Sequence, residues 1–191
     1  MNLTTKFYTG IGSRKTPKDI LEFMTKQAKL LQYHGYTLRS GGANGADTAF
    51  ETGINNKDIY LPWQHFNNNL STEYTELCKG AFDIAAVTHP YWSSLSGVVK
   101  KLMARNVYQV LGKDLNSPSE FVLCWTPDGC ESSKEYNKHT GGTGLAISVA
   151  CNYGIPVYNL KNENAIKRLN KAHKLNLDDL PEKEHELSQF F

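Results

Sequence analysis

The most informative segment of the sequence is Ser40-Gly41-Gly42-Ala43-Asn44-Gly45-Ala46-Asp47-Thr48-Ala49-Phe50-Glu51. It follows a short apolar run at 36–38 and opens a segment whose composition suits a helix. Its glycines let the backbone turn sharply and approach a ligand closely, because no Cβ is in the way. A turn of this kind from strand into helix also presents N–H groups at the positive end of the helix dipole, which favours phosphate or another anion.

Two further glycine-rich turns, at 10–14 and 141–144, also follow runs that predict a strand. Predicted strands alternate with helices, an order typical of right-handed crossovers within a largely parallel sheet. We therefore expect an α/β, Rossmann-like fold with helices on both faces of the sheet. Ligands of such sheets bind at the carboxyl ends of the strands, so we expect the turns at 10–14, 40–45, 126–130 and 141–144 to form one pocket.

Apolar runs and turn residues set the predicted boundaries. Strands are predicted at 7–11, 36–39, 58–63, 121–125 and 155–160. Helices are predicted at 17–34, 46–54, 73–88, 95–111, 145–153 and 162–173. We expect a nucleotide-binding domain over 1–160, followed by a C-terminal helix and a charged tail over 161–191.

The composition is that of an ordinary globular protein. The 191 residues are 40% hydrophobic and 21% charged, which suits one domain with a sizeable core. A net charge of +2 is far from the bias of proteins that coat nucleic acids. No apolar run approaches the roughly 20 residues of a membrane helix. The first residues carry no signal-peptide core, so we expect a cytoplasmic protein without a membrane partner.

No metal and no cofactor is predicted from the sequence. The four cysteines show no Cys-x-x-Cys pairing, which favours buried reduced thiols over disulfides or zinc. His65 and His89 lack partners at metal-ligand spacing.

Side chains beside the glycine-rich turns are candidate phosphate contacts. Gly12-Ser13-Arg14 offers backbone donors, a hydroxyl and a guanidinium that can fork onto a phosphate or carboxylate. The turn at 141–144 combines N–H donors with a threonine hydroxyl at a helix start. The simpler interpretations are that Ser13 only caps its turn, that Arg14 is a surface charge, and that 141–144 is a tight turn without a ligand. The predicted ligand contacts are Gly10, Gly12, Ser13, Arg14, Ser40, Gly41, Gly42, Gly45, Arg105, Asn106, Trp125, Thr126, Gly141, Gly142, Thr143 and Gly144.

Four of these candidates, Arg105, Asn106, Trp125 and Thr126, lie away from the glycine-rich turns. Arg105 and Asn106 fall on a predicted helix, where Arg105 either reaches the pocket or forms a surface salt bridge. Trp125 ends the central strand, where its ring either stacks on a base or belongs to the core.

Asp47 and Glu51 are four residues apart and share one face of their predicted helix. Asp47 either orders the loop as a cap or accepts a hydrogen bond from a ribose hydroxyl. The two carboxylates together could serve a glycosidic reaction, as nucleophile or general acid, so they are the candidate catalytic residues. Solvated carboxylates on a helix surface are the simpler alternative.

The segment at 40–47, the Gly12-Ser13-Arg14 turn and the Gly141–Gly144 turn together resemble the Rossmann-like core of DNA-processing protein A. That family belongs to the wider SLOG superfamily, which also includes the Lonely-guy phosphoribohydrolases. Among its members, the small and often phage-encoded DprA-like proteins are most similar in their Arg-Asn and Ile-Pro-Val-Tyr-Asn-Leu segments. The resemblance covers about residues 6–160. It implies a nucleotide or nucleic-acid phosphate site formed by the glycine loops, Ser13, Arg14, Ser40 and Thr143.

The sequence also departs from these relatives. Glu51 stands where the recombination mediators tend to carry histidine, and we expect no appended domain of winged-helix size. Against the phosphoribohydrolase pattern Pro-Gly-Gly-x-Gly-Thr-x-x-Glu, this chain has Thr140, Leu145 and Ser148 in place of proline, threonine and the catalytic glutamate. A glycosidic reaction would then depend on Glu51 or Asp47.

Three functions remain open from the sequence. The first is binding of a nucleotide or nucleotide-derived small molecule, for sensing, sequestration or DNA processing. The second is an enzyme, a nucleotide N-glycosidase or deoxyribosyltransferase that uses Glu51. The third is single-stranded DNA binding as a recombination mediator. We also expect a homo-oligomer.

Overall fold

The computed structural model describes residues 5–71 and 76–176, which contain five strands and six α-helices. The strands are β1 (Lys6–Gly12), β2 (Tyr36–Ser40), β3 (Lys57–Ile59), β4 (Phe121–Trp125) and β5 (Val157–Asn159). The helices are α1 (Lys18–Tyr33), α2 (Ala46–Glu51), α3 (Lys79–Thr88), α4 (Gly97–Leu111), α5 (Thr143–Asn152) and α6 (Ala165–His173). No helix within these ranges is long and apolar enough to cross a membrane.

The five strands form one parallel sheet in the order β3-β2-β1-β4-β5. In its centre, Tyr8 of β1 pairs with Leu38 of β2 on one side and with Phe121 of β4 on the other. The chain moves outward from β1 to β3 and then returns across β1 to build β4 and β5. This reversal opens a crevice at the carboxyl ends of β1 and β4, where ligands of such sheets bind. The α/β, Rossmann-like fold predicted from the sequence is confirmed.

The residues of β4 divide between two apolar cores, one on each face of the sheet. All five of them are buried. Phe121, Leu123 and Trp125 join the core that α1, α2 and α6 cover, whereas Val122 and Cys124 join the core that α3, α4 and α5 cover. Because side chains alternate across a strand, a strand with helices on both faces must be apolar throughout.

β3 and α2 end several residues earlier than the sequence predicts, whereas α1, α5 and β5 each end one residue earlier. β3 ends at Ile59, the last residue that pairs with β2, and not at 63. α2 ends at Glu51 and not at 54, and Gly53 two residues later has a φ of 72°. A residue in this left-handed conformation does not continue a helix, and glycine adopts it without strain.

α3 and α4 also begin later than the sequence predicts. α4 begins at Gly97, two residues after its predicted start, because the Ser96 hydroxyl accepts a hydrogen bond from Val99 N–H and caps the helix. The helix predicted over 73–88 begins at Lys79, and its residues 73–75 lie outside the described part of the chain, as does the tail beyond 176. α6 adds Leu169 to the first core, and the domain boundary near 160 stays a prediction.

We expect Gly10→Ala to destabilise the protein by about 2 kcal/mol, because extra atoms in a packed core force their neighbours apart. A Cβ at position 10 would lie 2.6 Å from Leu38 Cδ1 and 2.8 Å from Phe50 Cγ. Gly97→Ala is the matched control, since a Cβ there would meet nothing within 4 Å at the start of a helix. Urea denaturation measures both variants, and equal stabilities would contradict this account of the core.

Candidate functional site

A cavity of about 340 Å³ lies at the carboxyl end of β1, the strand at which the strand order reverses. Its walls come from the turn after β1, the loop and helix after β2, one face of α4, and the turn before α5. They comprise Ile11, Gly12, Ser13, Arg14, Lys15, Ala43, Asp47, Leu102, Met103, Arg105, Asn106, Gln109, His139, Thr140, Gly141, Gly142 and Thr143. The turns at 10–14 and 141–144 therefore meet at one site.

The predicted site residues fall into two groups. Those that line the cavity are Gly12, Ser13, Arg14, Asp47, Arg105, Asn106, Gly141, Gly142 and Thr143. Those that do not line it are Gly10, Ser40, Gly41, Gly42, Gly45, Glu51, Trp125, Thr126 and Gly144. Most residues of the second group contact other parts of the protein instead. These contacts explain why glycine or a polar residue stands at each position.

The glycine-rich loop after β2 is closed by the two carboxylates of its own helix. Gly42 N–H donates to Glu51 Oε1 over 2.9 Å, and Ala43 N–H lies 3.5 Å from Asp47 Oδ2. Ser40 Oγ donates to the Gly10 carbonyl over 2.8 Å. The Gly42 and Ala43 N–H groups, which a phosphate in this loop would need, are thus engaged within the protein.

The glycines of this loop allow close approach to protein atoms. A Cβ at Gly41 would meet the guanidinium of Arg105, and a Cβ at Gly45 would lie 2.7 Å from the Ser13 carbonyl oxygen. Gly45 also has a φ of 89°, which favours glycine. Glycine is required here because the loop packs against the turn after β1 and against α4.

Trp125 and Thr126 belong to the interior. Trp125 is a core residue at the end of β4. The Thr126 hydroxyl is buried, where it accepts hydrogen bonds from Asn159 Nδ2 over 2.7 Å and from Cys130 N–H over 3.2 Å. Of the two sequence-based interpretations of Trp125, the structure matches the core residue.

Arg105 joins α4 to the glycine-rich loop. Its side chain is only 5% exposed. Its Nη1 donates to the Gly41 carbonyl and, over 3.3 Å, to the Tyr60 carbonyl. Its Nε donates to Asn106 Oδ1 over 3.0 Å. A guanidinium has donors but no acceptor, so it suits a place where several carbonyl oxygens converge.

Asn106 continues this connection to the turn before α5. While its Oδ1 accepts from Arg105, its Nδ2 donates to the Gly142 carbonyl over 2.9 Å. The pair of side chains therefore links the loop after β2 to the turn before α5 across the cavity wall. Neighbouring residues on one helix hold two loops that are about a hundred residues apart in sequence.

Asp47 is the carboxylate of the cavity. It is 4% exposed, and Gln109 Nε2 approaches its Oδ2 to 3.5 Å. Burial raises the pKa of Asp47, and the positive charge of Arg105 opposes this shift. Burial disfavours a charged carboxylate, whereas a nearby cation favours it.

Glu51 lies behind the loop, outside the cavity. Burial raises the pKa of Glu51 from its ordinary value of 4.5 to about 7, and the charge of Asp47 acts in the same direction. The hydrogen bond from Gly42 N–H lowers the pKa but does not offset burial. The catalytic role of Glu51 stays a prediction, and Asp47 is the carboxylate that a ligand in the cavity would meet.

The mouth of the cavity is cationic. Arg14 and Lys15 are both exposed, and both line it. Ser13 holds their turn in place, since its N–H donates to the Trp125 carbonyl over 3.1 Å and its hydroxyl accepts from Lys15 N–H over 3.0 Å. Opposite lies the start of α5, whose first N–H groups have no partner within the helix.

Sequence reasoning missed several residues that line the cavity. Gln109 is one helical turn after Arg105, and this spacing is the signal that could have identified it. Leu102 and Met103 supply an apolar wall from the preceding turn of α4. Thr140 donates to Asp128 Oδ2 over 2.5 Å, a contact between loops that no local pattern indicates.

No group of three or more His, Cys, Asp or Glu side chains in the described ranges is arranged to hold a metal ion. The cavity combines a buried carboxylate, a cationic mouth, a helix start and a short apolar wall.

Comparison with known proteins leaves the family open. No family model matches the chain, and none of the curated proteins matches it. One solved structure with a similar fold is that of DNA processing protein A from Helicobacter pylori, which was described for its single-stranded DNA binding mode. It is 14% identical in sequence, with a TM-score of 0.49 over 91% of this chain and 75% of that one.

We expect Arg105→Met to lower the free energy of unfolding by about 3 kcal/mol, because buried acceptors lose their donor and buried carboxylates lose a nearby cation. Arg168→Met is the matched control. Arg168 forms an exposed ion pair of 2.6 Å with Glu131, and such pairs contribute about 0–1 kcal/mol. Urea denaturation compares the two variants. Equal losses would show that Arg105 does not connect the loops as described.

We expect Glu51→Gln to stabilise the protein above neutral pH and to have little effect near pH 5. A raised carboxyl pKa means that native stability is lost as pH rises from 4.5 through about 7, since the buried group must then ionise. The full effect is roughly 3 kcal/mol, from the size of the shift. The exposed Glu22→Gln on α1 is the control, and a Glu51→Gln effect that is the same at all pH values would refute the shift.

Proposed function

We propose that the cavity binds the phosphate group of a nucleotide or nucleotide-derived ligand. The observation that carries the proposal is the meeting of two turns at one cavity: the Ser13–Lys15 turn with its exposed cations, and the Gly141–Thr143 turn at the start of α5. A helix start favours an anion through its N–H groups and dipole. A guanidinium such as that of Arg14 can donate two parallel hydrogen bonds to one phosphate.

The rest of the cavity suits the remainder of a nucleotide. A volume of about 340 Å³ is within the range of small-molecule sites. Leu102 and Met103 offer apolar contact for a base, and Asp47 and Gln109 offer polar groups for sugar hydroxyls. Any cleavage of a glycosidic bond here would use Asp47, because Glu51 lies outside the cavity.

Single-stranded DNA is a second candidate ligand, and the cationic mouth favours it. Arg14 and Lys15 are exposed at the rim, and they could follow a phosphate backbone that continues past the cavity. Single-stranded DNA is also the ligand named for the Helicobacter pylori protein. For this chain the proposal depends on the geometry of the rim, and the two ligands share the same phosphate chemistry.

We expect Arg14→Ala to weaken the binding of a nucleoside 5′-monophosphate by about tenfold, the usual effect of losing a charged hydrogen-bond donor. Lys26→Ala removes an exposed positive charge from α1, away from the cavity, and should change nothing. Isothermal calorimetry measures both, with the unphosphorylated nucleoside as a ligand control.

The same titrations distinguish the two ligands. If oligothymidylate binds and its affinity falls steeply with salt, while the mononucleotide does not bind, the DNA alternative replaces the main proposal. If the nucleoside binds as well as its monophosphate, or Lys26→Ala weakens binding as much as Arg14→Ala, the phosphate site proposed here is wrong.

A further inference from the structure

A second cavity, of about 480 Å³, lies between α1 and α6. Its apolar walls come from Ile20 and Phe23 of α1, Leu160 after β5 and Ile166 of α6, and all four side chains are partly exposed. Lys167, which is exposed, also lines it, and we call this cavity the α1/α6 groove. None of the described residues that line the groove also lines the cavity at the carboxyl end of β1, so the groove is a separate site.

The surface around the groove is positively charged. Residues 161–174, which contain α6, include five lysines and arginines against one glutamate. Lys167 and Lys171 are both exposed and four residues apart, so they lie on one side of α6. The groove therefore joins apolar walls to a cationic helix, and a ligand that fits it is both apolar and acidic.

The sequence itself contains a segment of this composition after α6. We call residues 177–191 the acidic–aromatic segment. It contains five aspartates and glutamates, at 178, 179, 182, 184 and 186, against one lysine. Leu187, Phe190 and Phe191 follow these acids. The charge of the segment is opposite to that of α6, and its aromatic residues match the apolar walls of the groove.

The acidic–aromatic segment is long enough to reach the groove. The carbonyl oxygen of Asn176 lies 3.2 Å from His34 Nε2, just past the end of α1. Ile20 is in the first turn of α1, so the groove lies roughly 21 Å away along this helix, at about 1.5 Å per residue. Because an extended chain spans about 3.3 Å per residue, about seven residues are enough to cover this distance. Phe190 is 14 residues after Asn176.

We propose that the α1/α6 groove binds the acidic–aromatic segment of the same chain. The rings of Phe190 and Phe191 enter the groove, where burial removes their apolar surface from water. The carboxylates that precede them face Lys167 and Lys171, and this attraction weakens as the salt concentration rises. The contact is independent of the phosphate site proposed above.

Covalent connection favours the same chain over a second copy as the source of the segment. A segment that is tethered close to its binding site has an effective concentration there of about a millimolar. A second copy offers the same residues only at the concentration of the protein in solution, which is far lower in a dilute sample. The opposite charges of the segment and of α6 therefore act first within one chain.

The test measures whether an added segment competes with the one that the chain carries. A synthetic peptide of residues 177–191 is titrated by calorimetry into the full chain, either as wild type or with Phe190→Ser and Phe191→Ser together. We expect the peptide to bind this double variant at least about tenfold more tightly than the wild type, because a tethered competitor at about millimolar effective concentration no longer occupies the groove. The same peptide with both substitutions is the ligand control and should not bind.

Further substitutions, added to the double variant, locate the binding site. Lys167→Glu reverses a charge at the groove and should weaken peptide binding about fivefold, the upper range for one exposed ion pair. Phe23→Ala removes part of the apolar wall and should also weaken it. Lys101→Glu reverses an exposed lysine on α4, which packs on the other face of the sheet, and should leave the affinity unchanged.

Other outcomes would overturn the inference. Equal affinity of the peptide for the wild type and the double variant would show that the segment does not occupy the groove of its own chain. If the wild type also self-associates in sedimentation and the double variant does not, the segment binds a second copy instead. A double variant that does not bind the peptide, or whose affinity Lys167→Glu and Phe23→Ala leave unchanged, would show that the groove is not its site. None of these measurements involves a nucleotide, so the phosphate site is tested separately.

Discussion

The buried guanidinium of Arg105 is the contact on which the geometry of the site depends. It donates to the Gly41 and Tyr60 carbonyls, and through Asn106 it is connected to the turn before α5. A buried cation is tolerated only where acceptors and opposite charge surround it. Asp47 and Glu51 supply that charge, so the loop, its two carboxylates and α4 depend on one another.

The same arrangement explains why the proposed phosphate site lies at the edges of the cavity and not at the loop after β2. In many Rossmann-like folds a glycine-rich loop presents its N–H groups to a phosphate. Here the carboxylates of α2 already accept hydrogen bonds from that loop. A phosphate there would meet the two carboxylates, whereas at the turn after β1 and at the start of α5 it would meet Arg14 and the backbone of Gly142 and Thr143, where a helix start favours an anion.

The fold could be predicted from the sequence because its signals are local. The apolar run at 121–125 must be a strand covered on both faces, and the glycine-rich turns at 10–14 and 40–45 mark strand ends. The turn predicted to follow a strand at 141–144, in contrast, comes 16 residues after β4 ends at Trp125. The roles of the glycines could not be predicted in this way. Whether Gly41 makes room for a ligand or for Arg105 depends on a contact between residues 64 positions apart. Thr140 escaped prediction for the same reason, since long-range packing brings it to the cavity.

The central claim is that a nucleotide phosphate binds between the turn after β1 and the start of α5. Its most direct test follows backbone amide chemical shifts by NMR during titration with a nucleoside 5′-monophosphate. The account predicts that the largest changes fall at Arg14, Gly142 and Thr143, which line the cavity, with small changes at 41–43, where the N–H groups already bond to Asp47 and Glu51. The largest changes at 41–43, or none at either turn, would contradict it.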